Sequence, residues 1–239
     1  MTRVSNKVLS SVSLTEMHNS LWSHDDGPFT PLALRTYRAI SWVRRAEMEY
    51  DPNNPNDGDP DAAFIFLWIA FNSAYASEIG NRDSKERTEF EAYFDKLLRL
   101  DRLGMIYNAI WDKFKGPIRL LLTYEYLFHP FWQHANNAPG FEDWEKWFNR
   151  DKRMVNTALA REDTKTVLSV LFSRLYTLRN QLVHGGATWN GSMNRDAVRD
   201  GAAILYFLVP IFINLMMSST EDIDWGTLYY PPQPQSLSA

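Results

Sequence analysis

Hydrophobic residues recur along most of the chain at spacings of three and four, which is the period of an amphipathic helix. Stretches rich in proline, glycine and asparagine separate these segments. The pattern predicts helices over residues 31–50, 61–79, 84–103, 106–115, 118–128, 141–159, 164–184 and 194–217. No segment shows the alternation of apolar and polar residues that is typical of a strand. We therefore predict an all-α fold, a helical bundle with an N-terminal helical extension.

The predicted helices divide the chain into three parts. Residues 1–59 form the extension, with one helix and a loop rich in proline, asparagine and aspartate; residues 60–219 form the bundle; residues 220–239 form a C-terminal tail. The segment 61–79 is apolar on nearly all sides, which predicts a central helix. The longest apolar run, 202–217, is shorter than the roughly 20 residues of a membrane span. We expect a buried core helix there and no membrane partner.

Composition and charge narrow the possible functions. The chain of 239 residues has no cysteine, which excludes disulfides, thiolate chemistry and zinc sites built on cysteine. No basic segment followed by an apolar run stands at the N-terminus, so a cytoplasmic location is expected. The formal net charge of −4 argues against a protein that coats nucleic acid non-specifically. It leaves room for a local cationic site.

The predicted helix 164–184 has two distinct faces. Its core-facing stripe consists of Val167, Leu168, Leu171, Leu175, Leu178 and Leu182. The opposite face carries Ser173, Thr177, Asn180 and His184. Arg179 stands about 140° around the helix from His184. Its long side chain can curl toward the polar face, but nothing in the pattern requires it to do so.

The end of this helix has a purely structural interpretation. A histidine in the last turn interacts favourably with the helix dipole, and the glycine pair 185–186 is a typical C-terminal stop. Arginine and asparagine on an exposed face are then simply solvated. On the residue pattern alone this interpretation remains open beside a functional one.

Residues 179–184 read Arg-Asn-Gln-Leu-Val-His at a predicted helix end. This R-N-x-x-x-H form resembles the signature of the HEPN domain (higher eukaryotes and prokaryotes nucleotide-binding), a helical bundle. The apolar segment 68–75 is similar to the early core helix of several HEPN groups, and 197–217 stands where such a bundle has its last core helix. The resemblance covers roughly residues 60–218.

The resemblance implies a metal-independent endoribonuclease without a cofactor, which cleaves RNA through its own 2′-hydroxyl. His184 would be the general base, because imidazole has an unperturbed pKa of about 6.5. Arg179 would stabilise the phosphate with a planar fork that stays protonated. Asn180, one turn before His184, would orient the imidazole or donate to the phosphate.

The resemblance also implies partners. RNA is the expected substrate, and HEPN ribonucleases commonly form homodimers in which two motifs line one cleft, so that Arg179 of one subunit serves with His184 of the other. The implied setting is a toxin, antiphage or stress effector with an antitoxin or regulatory protein. Some HEPN toxins carry a tyrosine two residues after the histidine, where a partner enzyme modifies it; Gly186 stands there in this chain.

Three arginines are candidate RNA-binding residues. If the last two helices pack antiparallel, Arg174, Arg195 and Arg199 are expected to form a cationic patch with Arg179. Such a patch would supply the positive charge that the overall composition lacks.

Two other kinds of function remain open. The same motif residues would serve as ligands or helix caps in a non-catalytic HEPN-like module that binds nucleotide or protein. Alternatively, the chain is a helical scaffold assembled through its extension. A metal site is not expected at His129 and His134, because Glu125 is the one nearby carboxylate and Pro130 is expected to break the helix between them.

Overall fold

A computed structural model describes residues 9–22, 30–51, 54, 58–76, 86–219, 223–228 and 230–231. This part of the chain contains α-helices and no β-strand, apart from an isolated bridge between Tyr50 and Gly58. The all-α prediction is confirmed. The helices are α1 (Ser11–Leu21), α2 (Pro31–Glu47), α3 (Pro60–Tyr75), α4 (Glu86–Leu100), α5 (Met105–Asn108), α6 (Lys115–Thr123), α7 (His129–Ala135), α8 (Trp144–Ala160), α9 (Thr164–Val183) and α10 (Arg195–Ser218).

Side-chain caps fix where the long helices begin. The Asp59 carboxylate accepts from the Ala62 amide at 3.0 Å, and Pro60 occupies the first turn of α3. The Asp163 carboxylate accepts from the Thr166 amide at 3.1 Å and caps α9 in the same way. Both helices begin within one residue of the starts that the sequence predicts.

The core is centred on α3, α9 and α10. The ring centroids of Phe71 and Phe172 lie 4.6 Å apart, and those of Phe172 and Phe212 lie 5.8 Å apart, so one aromatic cluster joins the three helices. Helix α10 passes so close to α3 that a Cβ at Gly201 would lie 2.8 Å from a carbon of the Phe64 ring. Glycine at that position permits the close approach.

The predicted extension is part of the same core. Leu14, Ala39 and Val43 belong to one hydrophobic cluster with the residues of α3, α9 and α10. The segment also contains two helices where the sequence predicted one. Helix α1 was missed because its turns are mostly polar; its buried face includes His18, whose Nε2 lies 2.9 Å from the Ala33 carbonyl oxygen.

Two proline positions correct the predicted bounds. Gly116 and Pro117 do not separate two helices but lie in the first turn of α6, and the predicted segment 118–128 ends its α-helix at Thr123. A π-helical turn (Ala109–Lys113) precedes α6, and a 3₁₀ turn (Glu125–Leu127) follows it. Pro130 lies in the first turn of α7, where proline is tolerated, so it begins a helix that the sequence expected it to break.

Helix α10 is buried along most of its length. Within the described residues it is the one helix long and apolar enough to cross a membrane, but 78% of its apolar window is buried among the other helices. It occupies the place of the predicted last core helix. The start and end observed, Arg195 and Ser218, each differ by one residue from the prediction.

The predicted tail is partly packed. Arg35 is 1% exposed; it donates to the Ala74 carbonyl at 3.2 Å and to the Thr227 carbonyl at 2.9 Å. Trp225 packs against Tyr93 with ring centroids 6.0 Å apart. These contacts hold residues 223–228, in the predicted C-terminal tail, across the C-terminal end of α3.

Candidate functional site

The motif lies at the C-terminus of α9, which a glycine stop terminates. The Gly186 amide donates to the Gln181 carbonyl at 2.7 Å and the Gly185 amide to the Leu182 carbonyl at 3.3 Å, the pairing of a Schellman motif. Gly185 has a φ of +72°, which glycine adopts without strain. His184 is therefore the last residue before the chain turns away from the helix, and it is exposed.

Arg179 and Asn180 are joined directly. The Arg179 Nη1 donates to the Asn180 Oδ1 at 2.9 Å, so the guanidinium curls toward the polar face of α9. The Asn180 carbonyl accepts the His184 amide at 3.0 Å, which is a regular helical bond across the final turn. The structure thus brings Arg179 to the Asn180 side chain within one subunit and places exposed His184 one turn beyond.

The polar face of α9 is open only near the C-terminus of the helix. Thr177, which the helical wheel places on the face with His184, is 4% exposed. Helices α6 and α8 and the 3₁₀ turn pack against α9 and cover this part. Periodicity groups the residues of one face, but neighbouring helices decide how much of it meets solvent.

Gln181 is a site residue that the sequence did not single out. Its Nε2 donates to the Tyr126 carbonyl at 2.7 Å, and its Oε1 accepts from the Asn194 Nδ2 at 2.6 Å. The Tyr124 hydroxyl in turn donates to the Asn194 Oδ1 at 3.0 Å. Gln181 therefore connects the motif to the 3₁₀ turn and to the start of α10. The sequence gives no signal for this role, because the partners of Gln181 are distant along the chain.

The loop after His184 is attached to the N-terminus of α3. The Trp189 Nε1 donates to the Asp59 Oδ2 at 2.7 Å, and the Arg195 Nη1 lies 2.6 Å from the Asp61 Oδ2. Asp61 is 8% exposed, so this ion pair is largely shielded from water. The acidic start of α3 thus holds the loop that leaves the motif at its middle and where it enters α10.

The predicted arginine patch does not form. Arg174 is 3% exposed, pairs with Asp151, and holds its guanidinium 4.9 Å from the centre of the Phe128 ring. Arg195 is engaged with Asp61, whereas Arg199 is exposed. The physical reason is that Arg174 and Arg195 are enclosed by neighbouring helices and pair there with the carboxylates of Asp151 and Asp61. The two guanidinium groups therefore form no common cationic surface with Arg199.

The two histidines of α7 take part in local contacts. His129 Nε2 lies 3.1 Å from the Gln133 Nε2, and the His134 ring packs against Trp144 with centroids 6.1 Å apart. Within the described ranges, no group of three or more histidine, aspartate or glutamate side chains is arranged to hold a metal ion.

Comparisons of the chain with protein-family models, with curated proteins and with solved structures find no match. The function of the chain is therefore inferred from the chemistry of the motif residues, from their geometry at the end of α9, and from the resemblance of residues 179–184 to the HEPN signature. A short motif supports a functional assignment only when its structural context suits that function.

Proposed function

We propose that the protein is a metal-independent endoribonuclease of HEPN type. The observation that carries the proposal is the Arg179–Asn180 hydrogen bond of 2.9 Å at an exposed helix end that also bears His184. This arrangement gathers a fixed cation, an amide and an imidazole on one accessible turn. Those are the groups that cleavage by the RNA's own 2′-hydroxyl requires.

The proposed reaction is an internal transesterification. His184 accepts the proton of the 2′-hydroxyl, the 2′-oxygen forms a bond to phosphorus, and the bond from phosphorus to the 5′-oxygen breaks. The leaving 5′-oxygen takes a proton from water, and the hydroxide that remains is neutralised by the proton that His184 accepted. The products are a 2′,3′-cyclic phosphate and a 5′-hydroxyl end.

Arg179 is suited to the phosphate. Its guanidinium carries five N–H donors, of which Nη1 supplies one to Asn180, so donors remain for the non-bridging oxygens. The bond to Asn180 also limits the rotamers of the long side chain. In this proposal the cation is held at the same helix end as His184 before the substrate arrives, which reduces the cost of organising the transition state.

A homodimer is part of the proposal. Arg179 reaches Asn180 within its own subunit, and a second subunit would bring a second motif to the same RNA, as the resemblance implies. A role as a toxin, antiphage or stress effector rests on that resemblance alone. Because the net charge is −4, RNA binding is expected to depend on a few local cations and to weaken modestly with salt.

The direct test uses purified protein, mixed RNAs and EDTA. The proposal expects wild-type protein to produce fragments with 2′,3′-cyclic phosphate ends, and His184→Ala to leave the RNA intact. His134→Ala is the matched control, since His134 is an exposed histidine on another helix. The control is expected to cleave like wild type.

The same experiment separates the alternative function. If wild type and His184→Ala both leave RNA intact but retain equal affinity for it, the protein is a binding module and the enzymatic proposal is wrong. If His184→Ala cleaves as fast as wild type, the activity belongs to another site or to a contaminant.

A further inference from the structure

A cleft of about 370 Å³ opens beside the motif, between α6 and the first turns of α10. The residues that carry the argument are Thr123, Tyr124, Asn194, Arg195, Asp196 and Asp200. Its volume lies in the range of sites that hold small organic molecules. Tyr124 in its wall donates to Asn194 at 3.0 Å, and Asn194 donates to Gln181 at 2.6 Å. The cleft is therefore linked to the residue that follows Asn180 in the motif.

The polar lining of the cleft includes two carboxylates. Asp196 and Asp200 stand one turn apart on α10, so both carboxylates lie on one side of the helix. Burial raises the pKa of Asp200, and the neighbouring Asp196 carboxylate raises it further. Two carboxylates at this distance repel an anionic phosphate, but they accept hydrogen bonds from uncharged N–H donors.

Arg195 supplies the complementary donors. Its Nη1 lies 2.6 Å from Asp61, while its Nε and Nη2 are buried and have no hydrogen-bond partner among the protein atoms. Unpartnered buried donors cost free energy, which a bound acceptor would recover. The carboxylates of α10 and the Arg195 side chain therefore border one small cleft, and the two unpartnered Arg195 nitrogens are buried behind its wall.

We propose that this cleft binds the guanine base of the RNA substrate, an inference that rests on the proposed ribonuclease function. Guanine presents N1–H and N2–H side by side, and the two oxygens of one carboxylate, such as Asp200, accept both. Its O6 and N7 are acceptors that suit arginine. Adenine, cytosine and uracil each place an acceptor next to their donor on the same edge, which would face a carboxylate oxygen unfavourably.

The position of the cleft fits a specificity subsite. Gln181 precedes His184 by one helical turn, so the two side chains are neighbours on the surface of α9. A base held near Asn194 therefore has its own ribose and phosphate close to the end of α9. The Tyr124 ring in the wall offers a surface for base contact, as aromatic side chains do in RNA recognition. Cleavage is expected to occur next to guanosine.

The test measures binding of the four nucleoside 3′-monophosphates to the full protein by titration calorimetry, without any cleavage step. Guanosine 3′-monophosphate is expected to bind about tenfold or more tightly than the adenosine, cytidine and uridine compounds. In Asp200→Asn this preference is expected to fall to about twofold or less. Asp112→Asn, which changes an exposed aspartate outside the cleft, is expected to keep it. Asp196→Asn provides a second variant in the cleft if Asp200→Asn does not fold.

The outcomes separate this inference from the proposed function. Equal binding of all four nucleotides, binding of none, or an unchanged guanine preference in both cleft variants overturns the guanine site, whether or not the protein cleaves RNA. A guanine preference that is lost in the cleft variants supports the site even if no RNA is cleaved. Absence of cleavage by itself bears on the proposed function alone.

Discussion

Two arginines of α9 show how position decides the role of a residue. Arg174 lies among the rings of Phe128 and Phe148 and pairs with Asp151. Arg179 reaches the surface and bonds to Asn180. Their immediate neighbours do not tell them apart, because each stands between one apolar and one polar residue on the same helix. Because α8 packs over the middle of α9, Arg174 has a structural role, whereas Arg179 remains available to a substrate.

We expect Arg174→Ala to lower the free energy of unfolding by about 3 kcal/mol or more, since it leaves the Asp151 carboxylate without its buried partner. Urea unfolding measures the loss. Arg150→Ala, an exposed arginine on α8, is expected to change stability by less than about 0.5 kcal/mol. A stable Arg174→Ala protein with weakened RNA binding would instead show that Arg174 is an RNA-binding residue.

Asp200 is expected to reduce stability near neutral pH. Its folded-state pKa is raised above the ordinary value of 3.8 by burial and by Asp196, so the ionised carboxylate is less favourable in the folded chain than in the unfolded one. This cost is fully present above the folded pKa and disappears as the pH falls toward 3.8. Asp200→Asn should therefore raise the midpoint of thermal unfolding at pH 7, with a gain that shrinks on acidification. A lower midpoint at pH 7 would contradict the sign of the effect.

At the scale of the element, the end of α9 determines the geometry of the site. The Schellman pairing of Gly185 and Gly186 makes His184 the C-cap that follows the last helical residue, Val183, and directs the chain toward α3. The sequence predicted this stop from the glycine pair, and it is observed one residue earlier than expected. A glycine-determined helix end is a local feature, which is why it was readable without knowledge of the tertiary structure.

We expect Gly185→Ala to destabilise the protein by about 1–2 kcal/mol, because a side chain is strained at φ +72° although no atom lies within 4 Å of the added Cβ. The rate of RNA cleavage should fall by more than the loss of folded protein explains, since His184 is displaced when the helix end rearranges. Gly185→Asn is the matched variant, because asparagine tolerates the left-handed conformation. Equal losses for Ala and Asn in thermal unfolding would show that backbone strain is not the cause.

Most helices of the described residues were predictable, and the arrangement around the site was not. The apolar runs of α3 and α10 and the two-faced pattern of α9 predicted that these helices exist, and the bounds of α9 and α10 were predicted to within one residue. Helix α1 was missed, and Pro130 was misjudged, because polar turns and an early proline give no clear periodic signal. The links of Gln181 to Tyr126 and Asn194, and the pairing of Arg195 with Asp61, connect residues far apart in sequence. Such contacts follow from tertiary packing and leave no pattern in one sequence.

At the scale of the whole molecule, distant segments converge on the helices that form the site. Helices α1 and α2 share the core of the bundle, and buried Arg35 binds the carbonyls of Ala74 and Thr227. The N-terminal segment is therefore structural support for α3, whose first residues hold the loop after His184. Function in this account belongs to the intact chain and not to residues 60–219 alone.

The dimer is testable by mixing inactive variants. If Arg179 of one subunit serves His184 of the other, co-folding Arg179→Ala with His184→Ala in equal amounts should restore about a quarter of wild-type activity, because half of the dimers are mixed and each carries one complete site of two. Light scattering establishes that dimers are present. A dimeric mixture with no activity above that of the separate variants would show that each site is built within one subunit.

The most direct test of the central claim is the single-turnover rate of cleavage of one end-labelled RNA in EDTA. A general base contributes roughly 10²–10⁴-fold, so the rate for His184→Ala is expected to fall by at least about 10²-fold relative to wild type, while His134→Ala stays within about twofold. The products should end in 2′,3′-cyclic phosphates. Equal rates for wild type and His184→Ala, or products with 3′-hydroxyl ends, would contradict the account.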